Sequence, residues 1–155
     1  MVFDVRVAHI SRARTVAADI SAVWDVLADF GAISSWAAAV DHSCLLWPST
    51  EPIGLARRIQ MGRTTVIERI VEFDPHRALA YDIEGLPPMV RRMQNRWELS
   101  SAATGLTMVT LTTTVAIGEH LPQRLAEHLV CRLAAKQSDG LLDGLATSWK
   151  DTRAA

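Results

Sequence analysis

Apolar and polar residues alternate through most of residues 55–117, whereas a spacing near four governs residues 121–149. Period two is the signature of strands half buried on one face, and a period near 3.6 is that of an amphipathic helix. The alternating runs predict strands at Val5–Ala17, Val40–Trp47, Leu55–Met61, Thr64–Phe73, Ala78–Glu84, Val90–Leu99 and Leu106–Ile117. Turn residues separate them: Pro48 to Pro52, Gly62-Arg63, Asp74-Pro75, Gly85-Leu86-Pro87-Pro88 and Ala103-Thr104-Gly105. Between the first two strands, Ile20, Val23, Trp24 and Leu27 follow helical spacing behind a capping Asp19. Gly31 is expected to end that helix, and Ala32 to Trp36 to form a second helical turn. Pro122 suits the first turn of a closing helix, where its missing amide costs little. Run to Trp149, that helix is about 42 Å long at ~1.5 Å per residue. Its stripe reads Leu121, Leu125, Leu129, Leu133, Gln137, Leu141, Leu145 and Trp149, with Gly140 and Gly144 as points of weakness or bending.

A short hairpin sets the register of the sheet. Residues 55–61 run into Gly62-Arg63 and out through residues 64–70, and Gly tolerates the positive φ of a two-residue loop. Counting outward pairs Met61 with Thr64, Ile59 with Val66, Arg57 with Glu68 and Leu55 with Ile70, all on one face. Two charges in a row of aliphatics are costly unless paired. Arg57 and Glu68 are therefore either a cross-strand structural pair or the polar anchor of a site.

The same alternation turns Tyr81 and Ile83 inward, together with Arg91, Met93, Asn95, Trp97 and Leu99. Val109, Leu111, Thr113, Val115 and Ile117 form the inner face of the last strand. A long helix with one apolar stripe must bury it, and a curved antiparallel sheet is the available surface. A sheet that wraps a helix without touching it throughout leaves a cavity. Its expected lining is apolar and aromatic, with Arg57, Glu68, Tyr81 and Asn95 as sparse polar groups. A carboxylate beside arginine is expected to stay ionised, which suits recognition; proton transfer would need Glu68 desolvated and loosely paired. Ordinary core packing is the alternative for Tyr81, Met93 and Trp97. A buried Asn95 needs several partners under either reading. Trp24 and Trp36 are expected to pack the short helices on the sheet, with Trp36 alternatively at a pocket mouth. Gln137 either breaks the helix stripe over the cavity or faces solvent.

Composition narrows the function classes. The chain has 155 residues, 49% hydrophobic and 21% charged, with a net charge of -1. That describes one globular domain over residues 1–155, with no general attraction for nucleic acid. Cys44 and Cys131 show no CxxC spacing and are expected to be reduced, buried thiols. The five histidines form no metal-ligand spacing, so neither metal nor other cofactor is expected. No nucleophile elbow, dinucleotide fingerprint or phosphate loop is present. Without a signal-peptide pattern or the roughly 20 apolar residues of a membrane span, a cytoplasmic protein without integral membrane association is expected, as a monomer or homodimer.

Several residues carry a family resemblance through their order: Val23-Trp24, Asp29-Phe30-Gly31 through Trp36, Gly54 before Arg57, Gly62 before Glu68, then Asp74, Tyr81 and Pro87-Pro88. Over nearly the whole chain this resembles the polyketide cyclase/dehydrase branch of the START-related helix-grip (SRPBCC) superfamily. The resemblance implies an α+β helix-grip fold. Its seven-stranded antiparallel curved sheet surrounds a long C-terminal helix, with two short helices between strands 1 and 2. It also implies that Glu68 lies inside a pocket for aromatic, polyketide, lipid or hormone-like ligands, and that the Gly85–Met89 loop sits where relatives have a lid. It transfers no catalytic residue. The expected ligand-binding residues are Arg57, Glu68, Tyr81, Met93, Asn95, Trp97, Leu111, Leu125 and Leu129. The expected function is binding of a hydrophobic or aromatic small molecule, as carrier or sensor, with a polyketide aromatase/cyclase or dehydratase as the alternative.

Overall fold

The computed structural model describes residues 6–118 and 123–149, the side chains of 6 and 123–131 excepted. Seven strands, β1 (Arg6–Val16), β2 (His42–Leu45), β3 (Ala56–Met61), β4 (Thr64–Asp74), β5 (Ala78–Glu84), β6 (Val90–Ala103) and β7 (Leu106–Ile117), form one curved antiparallel sheet. Their order is β1-β7-β6-β5-β4-β3-β2, so every consecutive pair from β2 to β7 is a hairpin and β1 closes the far edge beside β7. Helix α1 (Ile20–Ala28) and a 3-10 helix (Phe30–Ser35) lie between β1 and β2, and α2 (Gln123–Thr147) follows the sheet. This is the helix-grip fold.

The β3–β4 hairpin has the expected register: Met61 faces Thr64, Ile59 faces Val66 and Arg57 faces Glu68. Gly62 turns the loop at φ +59°, and the side chain of Asp41 accepts a hydrogen bond from its amide at 2.7 Å. Beyond the hairpin, the Ile70 amide donates to the Leu55 carbonyl at 2.9 Å, which continues the pairing. The inner face is a continuous core of Ile59, Ile70, Leu79, Tyr81, Trp97 and Leu111, closed by Leu142 and Leu145 of α2. Burying each such side chain contributes about 1.5–3 kcal/mol before entropy is charged.

Four expectations need correction. Helix α1 ends at Ala28 and not at Gly31, which lies inside the 3-10 helix. A Cβ on Gly31 would stand 2.9 Å from Leu45 Cγ, so this glycine serves close packing on β2. Asp19 holds the N-cap position without a side-chain cap hydrogen bond. Arg91 is exposed because the register shifts between Val90 and Arg92, which breaks the alternation there. Cys44 is an exposed thiol on the edge strand β2; the Cys131 side chain lies outside the described residues.

The α2 stripe also departs from a spacing of four. Leu141 and Leu145 are buried, but Leu133 is 61% exposed, and the buried positions further back are Ala134 and Ser138. At 3.6 residues per turn, each four-residue step rotates the stripe by about 40°, so three steps from Leu145 carry Leu133 off the buried face. Pro122 and Leu121 lie outside the described residues, as do the side chains of Leu125 and Leu129. Gly144 has a packing reason: a Cβ there would overlap the Trp36 carbonyl oxygen. The loose pattern of β1 is also explained. Its inward Arg12 and Arg14 meet Asp139 and Asp143 of α2, so ion pairs take the place of apolar contact.

Candidate functional site

Arg57 and Glu68 are both buried, and the hairpin register holds them side by side. The guanidinium Nε and Nη2 each reach Glu68 Oε2 at 2.6 Å. Nη1 donates to the Phe30 carbonyl at 2.8 Å, which ties β3 to the 3-10 helix. The guanidinium carbon lies 3.8 Å from the Phe30 ring centre and 4.7 Å from that of Tyr81. Arg57 is thus clamped between two aromatic faces, an arrangement worth about 2 kcal/mol when desolvated. Burial pushes the Glu68 carboxyl above its ordinary value, against the pull of Arg57. Pairing alone therefore does not govern its ionisation. The Tyr81 phenol is likewise raised, by burial first and then by the charge of Glu68.

A second polar chain runs beside this pair. Asn95 Nδ2 and Trp97 Nε1 donate to the Tyr81 hydroxyl at 3.3 and 3.4 Å. Thr113 Oγ1 donates to Asn95 Oδ1 at 2.8 Å and lies 3.4 Å from Ser138 Oγ on α2. The buried amide thus finds its partners across β5, β6 and β7, and the chain reaches the helix. Such networks fix one packing of a core when their members are satisfied.

A cavity of about 480 Å³ opens between the sheet, the segment after the 3-10 helix and α2. That is within the roughly 300–1,000 Å³ of small-molecule sites. Its inner end is made by buried Ile33, Ile59, Glu68, Tyr81 and Leu141. Its mouth is made by exposed Ala38, Ala39, Leu133, Lys136 and Gly140. Gln137 lines it too, half buried.

Of the residues expected at the site, Glu68 and Tyr81 face this cavity. Arg57 sits behind Glu68, while Asn95, Trp97 and Leu111 are buried away from this lining and Met93 is half buried. The Leu125 and Leu129 side chains lie outside the described residues. Residues of the Gly85–Met89 loop do not line this cavity; Leu86 packs on the core and Met89 is 48% exposed. Trp24 meets Phe73 edge to face at 5.1 Å, and Trp36 meets Trp97 at 5.9 Å. Phe30, Lys136 and Ser138 are not among the residues the sequence places at the site. Phe30 acts through a contact 27 residues away in the chain, which no local pattern encodes. Lys136 could have been found as the neighbour of Gln137 on α2.

Among the described residues no three of His, Cys, Asp or Glu gather as a metal site, and no helix is long and apolar enough to cross a membrane. What the arrangement offers is an apolar chamber with one buried carboxylate facing it.

Solved structures share the fold at low identity. Zhui, an aromatase/cyclase from a Streptomyces species, is 19% identical with a TM-score of 0.77, over 92% of this chain and 93% of that one. A START superfamily protein from Mycobacterium smegmatis is 15% identical with a TM-score of 0.76, over 93% and 98%. The di-domain ARO/CYC StfQ of the steffimycin biosynthetic pathway is 14% identical with a TM-score of 0.78; the match covers 96% of this chain and 52% of StfQ. No curated protein sequence matches the chain. The sequence from residue 7 to residue 149 matches the family described as polyketide cyclase / dehydrase and lipid transport, and the chain belongs to that family.

Proposed function

We propose that this protein binds a hydrophobic or aromatic small molecule, lipid- or polyketide-like, in its cavity, as a cytoplasmic carrier or sensor built from one helix-grip domain. The observation that carries this reading is the cavity of about 480 Å³, apolar except for Glu68, Tyr81 and the polar groups at its mouth. Apolar walls supply affinity and a few polar groups orient the ligand. Glu68 is the polar contact, and Arg57 holds its carboxylate in place. Met93, Asn95, Trp97, Leu111, Leu125 and Leu129 complete the proposed ligand-binding set, either at the walls or behind them. Native mass spectrometry of the purified protein tests the proposal: a bound species of a few hundred daltons supports it. A protein that stays empty and binds no apolar dye in its cavity overturns it.

A second reading, a polyketide aromatase/cyclase, draws on the fold shared with Zhui and StfQ. Glu68 would then move a proton in the cavity, helped by a carboxyl raised through burial. Its contacts with Arg57 at 2.6 Å weigh against that role, because proton transfer favours a loosely held group. Cyclised product from a poly-β-keto thioester, lost in Glu68→Gln, would establish the enzyme reading. No product at all would leave the carrier or sensor.

A further inference from the structure

The cavity has a polarity that ligand binding in general does not require. Among the described residues, the only charged side chains lining it are Glu68 at the inner end and Lys136 at the mouth. Glu68 is 5% exposed, whereas Lys136 is exposed and is one of only two lysines in the chain. The compensating Arg57 does not line the cavity; it is buried, with its guanidinium stacked on Phe30 and Tyr81. An incoming ligand therefore meets carboxylate oxygen and not guanidinium. Both contacts from Arg57 fall on Oε2, and no donor among the described residues reaches Oε1.

From this we infer that the cavity takes a hydroxy acid in one orientation: a ligand hydroxyl donates to Glu68 at the inner end, and a ligand carboxylate stays beside Lys136 at the mouth. This rests on the ligand-binding reading above and specifies the ligand class. A ligand entering acid first would set oxygen against oxygen in a buried site, where an unmatched charge is costly. Entering hydroxyl first, it gives Oε1 the donor that the protein does not, and hydrogen bonds to charged groups are the stronger kind. Lys136, in solvent, adds a smaller and salt-sensitive attraction.

Calorimetric titration with four naphthalene probes tests this: 2-methoxynaphthalene, 2-naphthol, 2-naphthoic acid and 6-hydroxy-2-naphthoic acid. The naphthol should bind about ten-fold tighter than its methyl ether, which has the same body and no donor. The hydroxy acid should bind a further two- to five-fold tighter, roughly what an exposed ion pair supplies. Lys136→Met should remove that second gain, and Lys136→Glu should reverse it. Both variants change an exposed side chain, so neither threatens the fold. Equal binding of naphthol and ether, or a hydroxy acid weaker than the naphthol, overturns the polarity while leaving a ligand cavity. If none of the four probes binds, this inference is overturned, whereas the ligand-binding reading stands or falls on the native mass spectrum and the apolar dye.

Discussion

Glu68 and Glu72 stand four residues apart on β4, and each is paired with an arginine, yet their environments are opposite. Glu68 is buried on the inner face against Arg57, and its carboxyl is raised by burial. Glu72 lies on the outer face, bound by Arg96 through both carboxylate oxygens at 2.8 and 3.1 Å, and its carboxyl is lowered. Plain alternation would put both on one face. A bulge between Ile70 and Glu72 adds one residue to β4, so exposed Val71 and Glu72 both turn outward and Phe73 returns to the core. One inserted residue thus separates a carboxylate available to a cavity from one that belongs to a surface network.

The comparison predicts very unequal costs of breaking the two pairs. Arg57→Ala should lose about 3–5 kcal/mol in urea denaturation, because it leaves Glu68 buried and unpaired. A loss below about 1 kcal/mol would mean that water reaches the pair and the contrast is false. Replacing both partners, Arg57→Met with Glu68→Leu, should recover most of that stability while abolishing any preference for ligands with a donor. The two carboxyls should also give stability opposite slopes with pH. Glu68, raised in the folded state, contributes stability that is full below its ordinary value of 4.5 and is lost as pH rises toward its folded pKa. Glu72, lowered, contributes stability that is present above 4.5 and lost as pH falls. Unfolding titrations from about pH 3 to pH 7 on Glu68→Gln and Glu72→Gln should therefore remove slopes of opposite sign. The smallest effect belongs to Arg96→Ala. Its side chain is 37% exposed, so the loss should not exceed about 1 kcal/mol and should shrink further in salt.

The regular part of this sheet was legible in the sequence. A two-residue loop at Gly62-Arg63 and strict period two were enough to place Arg57 opposite Glu68, and to turn Tyr81, Asn95 and Trp97 inward. What escaped was every departure from periodicity. The bulges beside Val71 and Arg91 each insert one residue and bend the strand, and no residue type announces them. Leu133 continued a leucine series whose four-residue spacing rotates away from the core. The clamp of Phe30 and Tyr81 on Arg57 is a tertiary contact, so the alternation could name a charged pair without revealing which member the cavity meets. That difference moves the proposed ligand contact from Arg57 to Glu68.

The glycine at position 144 has a mechanical consequence. With no side chain between them, the backbone of α2 rests directly on that of Trp36, which fixes the helix near its C-terminal end. The contact thus sets the spacing between α2 and the segment after the 3-10 helix: any side chain at position 144 would lift the helix off Trp36 and shift the wall that Leu141 and Gly140 give the cavity.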